Sequence, residues 1–407
     1  MITVQPFPAL RPRPETAAAV AAVPYDVVNA AEAAVLADGN ANSFLHVSRA
    51  EIDLPAGTNP YAETVYERAA DNFQRLQSVM VQDAEPALYF YRLRMGGHEQ
   101  TGLAGCFSVD EYNRGDVKKH ETTRKDKEDD RTRHIVRLRA QTGPVFLTYR
   151  ALPAMDAAAT RACSRPPLYD FIAPDGVGHT IWKVDAGLCD DIVRAFATLP
   201  AIYIADGHHR AASAARAHAR FADENKANMN AAHAQFLAVA FPDSQTQILP
   251  YNRLVKDLAG LSPTRFLADV QTRFAVAPGP ASPRRKGECG MFLAGRWYTL
   301  TLRPAGDPTP PDPIESLDVS LLQNGLLEPI LKVVDPRTDK RIDFVGGIRG
   351  TAELEQAVSR GAAAVAFSMF PVTVGELMAI ADAGSIMPPK STWFEPKLRD
   401  GLLIHLI

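Results

Sequence analysis

The sequence predicts a mixed α/β chain in two domains, and three observations lead there. Its 407 residues exceed what one compact core usually serves, since single cores stop growing near about 250–300 residues. Segments with the period-2 apolar pattern of strands are interspersed with segments of helical spacing. The apolar run LPAIYIA (199–205) passes through Asp-Gly-His-His-Arg directly into the Ala-rich AASAARAHAR, which reads as a strand, a turn and a helix beginning near Ala211.

Composition bounds the function. With 46% hydrophobic and 22% charged residues, the chain has neither the charge nor the apolar poverty of a disordered protein. Its longest apolar runs, such as GAAAVAFSMF (361–370), fall short of the ~20 residues that cross a bilayer. The opening MITVQPFPALRPRPE lacks the apolar stretch of a secretory signal, so a cytoplasmic location is expected. Cys106, Cys163, Cys189 and Cys289 are far apart with no paired spacing and read as small buried hydrophobes. A net charge of −3 offers no general attraction to nucleic acid or to an anionic membrane, so any anion site must be local.

The elements follow in order. ETVYERAADNFQRLQSVMVQ (63–82) has helical spacing; ALYFYRLRM and TGLAGCFSV read as paired strands around Gly96-Gly97; NSFLHVSR (42–49) alternates like a strand. GPVFLTYR (143–150) is a further strand, and residues from about Asp126 to Gln141 form a charged helix. Tyr251, Asn252 and Arg253 precede a predicted helix. Proline clusters at 276–283 and 304–313 form two loops fencing off the hairpin GMFLAGRWYTLTL. DVSLLQNGLLEPIL and TAELEQAVSRG read as helices, IDFVGG and AAVAFSMF as strands. The expected domains are residues 1–260 and a smaller α+β domain over 261–407.

The sharpest chemical feature is Asp206 to Arg210. A glycine turn at a helix N-terminus offers unpaired amides and the positive end of the helix dipole to an anion. Gly207 and His209 there can line a phosphate, and Arg210 can grip one with two donors. Asp206, at the carboxyl end of its strand, can bind Mg²⁺ or act as a base; alternatively it only caps the helix and the histidines are solvated. A second constellation is Lys118 to Arg139, whose nine Lys or Arg outnumber five Asp or Glu. Within it Glu121 can serve as base for a hydroxyl, and Lys119, His120 and Arg131 can meet phosphate; a solvated helix laced with ion pairs is the alternative. Asp26 is either a turn residue or a ligand contact. His46 reads as a satisfied buried histidine. Arg253 can reach a carboxylate or phosphate, while Lys390 and Thr392 lie in a proline-bounded loop whose Trp393 either stacks on a base or seals an interface. Asp335 to Arg341 forms a charged turn that reads equally as surface loop.

Ala-Asp-Gly-His-His-Arg resembles the phosphate-binding box of the ParB and sulfiredoxin superfamily, and a free serine kinase in that superfamily has a similar box. Over its length the chain is identified as a member of the family called domain of unknown function one thousand and fifteen. VPYDVV, NSFLHVSRAEIDLP, KKHETTRKDKEDDRTRH, ADGHHRAASA, DPRTDKRIDFVGG and MPPKSTWFEPKLRDGL carry that resemblance. It implies a ParB/sulfiredoxin-like core with elaborations and Mg²⁺-dependent phosphoryl transfer from ATP or ADP to the hydroxyl of a small metabolite, with free L-serine as acceptor. In that reading Asp206, Glu121 and His208 are catalytic, Asp206 also holds the metal, and Asp26, Arg253, Lys390 and Thr392 contact substrate. A sulfiredoxin needs a reactive cysteine where His208 stands, which excludes its chemistry. No helix-turn-helix module or basic surface supports DNA binding. The alternative function is a nucleotide-gated interaction protein that phosphorylates no acceptor. No Walker loop, dinucleotide fingerprint or zinc motif is present.

Overall fold

The computed structural model describes residues 1–224, 232–303 and 312–407, and the mixed α/β class holds throughout. The chain divides into two units, Met1–Thr246 with Pro396–Ile407, and Gln247–Glu395. The division falls earlier than residue 260, and the last twelve residues return to the first unit. Backbone pairing explains the return: Leu10 and Ile404 exchange two hydrogen bonds, as do Ala22 and Asp400, and Gly401 N donates to Thr142 O at 3.0 Å.

The first unit is built on a nine-stranded sheet. Its strands are β1 (Val4–Gln5), β2 (Tyr89–Met95), β3 (His98–Ser108), β4 (Val117–Lys118), β5 (Val145–Tyr149), β6 (Tyr169–Ile172), β7 (Gly178–Lys183), β8 (Ile202–Asp206) and β9 (Gln235–Pro242). They run in the order β4-β8-β5-β9-β3-β2-β7-β6, with β1 also on β3. β8 lies parallel to β4 and antiparallel to β5, and β9 lies parallel to β5 and antiparallel to β3, so the sheet is mixed. β5, buried at every residue, is apolar at four of its five positions, as a strand covered on both faces must be. Phe107, Phe196, Phe236 and Tyr149 pack on one face. A second core gathers Phe44, Phe73 and Leu76 against Val20 and Leu138.

Three helices matter to the site: α1 (Glu63–Leu76), α2 (Lys125–Leu138) and α3 (His208–Glu224). α2, for all its charge, is not a solvated helix. It buries Asp130, Thr132, His134, Ile135 and Leu138, and Arg216 of α3 pairs with its Glu128 and Asp129. NSFLHVSR is not a strand. Phe44, Leu45 and Val47 are buried in a helical turn over Leu45–Ser48, and half-buried His46 bonds Asp53 at 2.8 Å. The period-2 signal was accidental over so short a run.

The second unit holds an antiparallel six-stranded sheet of β10 (Tyr251–Val255), β11 (Ala275–Pro278), β12 (Glu288–Leu293), β13 (Arg296–Thr301), β14 (Ile342–Gly346) and β15 (Val365–Met369), in the order β11-β13-β12-β15-β10-β14. Tyr251, Asn252 and Arg253 therefore sit within a central strand rather than before a helix. Asn252 accounts for part of this, because its side chain accepts from Met369 N of β15 at 3.0 Å. The first proline cluster begins as an edge strand, where a residue without an N–H is tolerated; the second lies mostly outside the described residues. Cys106, Cys189 and Cys289 are buried and Cys163 partly so, all as free thiols. Among the described residues no helix is long and apolar enough to cross a membrane.

Candidate functional site

The turn between β8 and α3 organises the site. Along β8, Ile204 pairs with Leu147 and Asp206 with Phe146, so Ala205 is an extra residue. That bulge re-aims the strand end. Gly207 follows with φ +94°, a left-handed conformation, and its carbonyl accepts the first helical bond from Ala211 at 3.0 Å. The helix thus begins at His208, three residues before Ala211, and His208, His209 and Arg210 form its first turn. A run of polar residues reads as loop, but a first helical turn tolerates it when glycine supplies the entry. A Cβ on Gly207 would lie 3.0 Å from Arg210 Nε and 3.1 Å from its Cζ, so only glycine lets the guanidinium fold back over the turn.

Arg210 is buried and draws three carboxylates together. Its Nη2 lies 3.4 Å from Asp206 Oδ2 and 3.8 Å from Asp26 Oδ2, Nη1 donates to the Pro144 carbonyl, and Nε has no partner among the described residues. Burial works against its charge, yet Asp26, Asp206 and Asp400 hold its pKa above the ordinary arginine value. Asp206 Oδ2 also takes Lys397 Nζ at 3.2 Å. Burial would raise that carboxyl, but Lys397 and Arg210 hold it well below the usual range. Asp400 is different. Burial pushes it up to about 7, against the pull of Arg210 and helped by Asp26.

The histidines are neutral at pH 7. His208 Nε2 accepts from His120 N at 3.4 Å, which places the ring proton on Nδ1, facing exposed Glu121 with Oε2 at 3.6 Å. Burial and the neighbouring His120 keep His208 well below the ordinary histidine pKa. The His120 ring stands edge-on to it at 4.5 Å and is pulled down to about 4 by burial. His209 Nε2 accepts from Arg124 N at 3.0 Å, and burial lowers its pKa too. None of the three therefore brings positive charge to an anion. Lys119 packs its ammonium 3.7 Å above the Tyr112 ring and is drawn down by burial. Arg131 donates to Asp130 Oδ2 at 2.9 Å and to Ser48 O at 3.3 Å, and lies over the Tyr25 ring at 4.2 Å.

Beside Arg210 is a cavity of about 40 Å³ whose lining includes Tyr25, Ser48, Arg131, Gly143, Arg210 and Asp400, room for roughly three water molecules or one small polar group. Four buried atoms of that lining lack a hydrogen-bond partner among the described residues: Tyr25 Oη, Ser48 Oγ, Arg210 Nε and Asp400 Oδ1. Buried polar atoms are almost always paired, so this concentration marks a place for a polar guest. A Cβ on residue 143 would lie 2.4 Å from Asp400 Oδ1, which makes Gly143 a condition of the cavity.

The first unit thus gathers Asp26, His120, Glu121, Arg131, Asp206, Gly207, His208, His209 and Arg210. Arg253, Lys390 and Thr392 belong to the second unit. Sequence reasoning missed Asp400 and Ser48. One signal for Asp400 was available: Asp400-Gly401 repeats the pairing of Asp206-Gly207, and Gly401 is likewise left-handed at φ +84°.

The donor set does not suit a protein-held Mg²⁺. Such a site offers free carboxylate oxygens to the ion, whereas Asp206 Oδ2 already faces Lys397 and Arg210. No group of three His, Cys, Asp or Glu among the described residues could hold a metal. Asp206 is built as a counter-charge.

A mixed α/β chain with an arginine-bearing glycine turn is the class this geometry defines. Residues 4–320 match the family described as "Protein of unknown function (DUF1015)", and the chain belongs to that family. No curated protein matches the sequence. Among solved structures, the chain is similar to a free serine kinase in complex with AMP at 12% identity and TM-score 0.35, covering 74% of this chain and 92% of that one. SbnI with a C-terminal truncation, from Staphylococcus aureus, gives 13% and 0.39 over 74% and 87%. A conserved hypothetical protein from Pyrococcus furiosus gives 13% and 0.35 over 74% and 95%.

Proposed function

We propose that the first unit transfers the terminal phosphoryl group of ATP or ADP to the hydroxyl of a small metabolite, free L-serine in the narrowest form. The observation that carries this is Arg210: a buried guanidinium with an uncommitted Nε, folded over a left-handed glycine at the N-terminus of a 17-residue helix. Phosphate is favoured there by the α3 dipole and by Arg210. The acceptor hydroxyl enters the small cavity beside it, where Tyr25 and Ser48 offer hydrogen bonds and Asp400 lines the wall.

Phosphoryl transfer asks for positioning and charge neutralisation more than covalent help. Asp400, which lines the cavity with an unpartnered Oδ1 among the described residues, is the base in place of Asp206 or Glu121. Asp206, held far down as a carboxylate, is a weak base, and Glu121 faces solvent. Asp400, at about 7, is poised to take the acceptor proton as the oxygen bonds to phosphorus and the bond to the departing nucleotide breaks. Asp206 and Lys397 hold Arg210 in place. Mg²⁺ enters as the nucleotide's own counter-ion. Localisation in the cytoplasm and the absence of nucleic-acid partners belong to the same reading.

A second reading, a nucleotide-gated interaction protein, is favoured by one observation: the ionised Asp206 is already satisfied by Lys397 and Arg210, as a binding site without chemistry requires. Calorimetric titration with ADP and ATP, followed by product analysis with hydroxylated acceptors, separates the two. Nucleotide binding without acceptor-dependent product supports the second.

A further inference from the structure

We propose that the second unit carries its own binding site for a small monocarboxylate with an apolar body, the carboxylate being held by Arg253.

Three arginines are buried among the described residues: Arg210, Arg253 and Arg399. Arg210 meets Asp206 and Asp26, and Arg399 meets Asp175. Arg253, 4% exposed on β10, meets no carboxylate among the described residues. Its Nη1 donates to its own strand at Tyr251 O and its Nη2 to Lys390 O at 3.3 Å. Carbonyl oxygens orient a guanidinium but do not neutralise it. A buried cation without a counter-ion is costly, and burial draws Arg253 down to about 10. Lys390 takes a left-handed φ of +57° in presenting that carbonyl, a conformation non-glycine residues adopt rarely.

The cation opens onto a cavity of about 240 Å³, below the size of drug-sized pockets. Val319, Leu327, Ile342 and Phe344 are among its walls, and Phe344 lies 5.7 Å from the guanidinium. Ser320 adds a buried hydroxyl with no partner among the described residues. The acidic residue in the lining, Glu315, is exposed. One buried charge matches one negative charge; a phosphate dianion would leave half of its charge unpaired in an apolar pocket. Two guanidinium N–H groups in a fork fit a carboxylate, and the apolar walls fit an aliphatic or aromatic body. Every residue of this lining belongs to the second unit.

The test uses the full-length protein and calorimetric titration with isovalerate and phenylacetate, each against its own amide, and with inorganic phosphate. The expected result is that an acid binds at least about tenfold more tightly than its amide, since the charge-assisted pair is the difference between them, and that phosphate does not bind at the same site. Arg253→Met is expected to abolish that preference, to leave nucleotide binding unchanged, and to raise the melting temperature of the ligand-free protein by removing an unpaired buried charge. Failure of every acid at millimolar concentration, equal binding of acid and amide, or an acid preference that survives in Arg253→Met would overturn the proposal. The wild-type comparison of acid with amide decides the matter even where the variant does not fold.

Discussion

The guanidinium of Arg210 lies folded back over Gly207, its Nε 3.0 Å from the point that a Cβ on residue 207 would occupy. Gly207→Ala must therefore adopt a left-handed φ and push the arginine away. The strain alone costs about 1–3 kcal/mol. The expected outcome is a lower melting temperature together with loss of nucleotide affinity, read by thermal melts and calorimetry. A destabilised variant that binds nucleotide normally when folded would show that the turn does not cradle phosphate.

Arg210→Met leaves Asp26, Asp206 and Asp400 without their shared cation. Breaking a buried pair costs about 3–5 kcal/mol, and part of that should return at low pH, where Asp400 protonates. Urea unfolding at pH 5 and pH 8 checks it. A loss that is the same at both would contradict the electrostatic reading.

Asp206→Asn should weaken the protein mainly above pH 4. The native carboxyl is held below its unfolded value of about 3.9, so its contribution is present above that value and disappears as pH falls through the native pKa. Wild type and variant should converge in stability as the solution is acidified. Nucleotide affinity is expected to fall as well, because Arg210 loses an anchor.

Asp400 runs the other way. Its native pKa of about 7 lies above the unfolded value of about 3.9, so the native state binds the extra proton between those limits and stability is lost as pH rises through them. Buried histidines such as His120 and His134, each near 4, have the opposite sign and gain stability as pH rises from about 4 to 6.5. The difference between Asp400→Asn and wild type isolates the carboxyl. The variant should be the more stable at pH 8, by more than at pH 5. If Asp400 is the base, turnover rises to a plateau above about pH 7 in wild type and is lost in the variant at every pH.

The parts of the site legible in the sequence are those close together in it. Asp206 to Arg210 could be read because a strand, a glycine and a helix follow within one short segment, so local pattern is also local geometry. Asp400 could not, since β-bridges from Ala22 and Leu10 bring the C-terminal segment back to the first unit, and pairing over that separation leaves no periodicity to detect. Ser48 was misplaced for a related reason: its segment alternates like a strand but is held as a helical turn by Phe44, Leu45 and Val47 packing in the core. The strand of Arg253 was read as the approach to a helix, because only the partners β14 and β15 reveal the sheet. The charge of the histidines was beyond reach, being decided by burial.

Phosphoryl transfer to a small hydroxylated acceptor at the Arg210 turn is the chemistry proposed for the first unit. Incubating the protein with Mg²⁺ and either ADP or ATP, with and without a panel of hydroxylated amino acids and sugars, and following products by mass spectrometry tests it directly. The expected result is an acceptor-dependent phosphorylated product, phosphoserine first, that disappears in both Arg210→Met and Asp400→Asn while Arg253→Met leaves it intact. Tight nucleotide binding with no phosphorylated acceptor at any pH would contradict it.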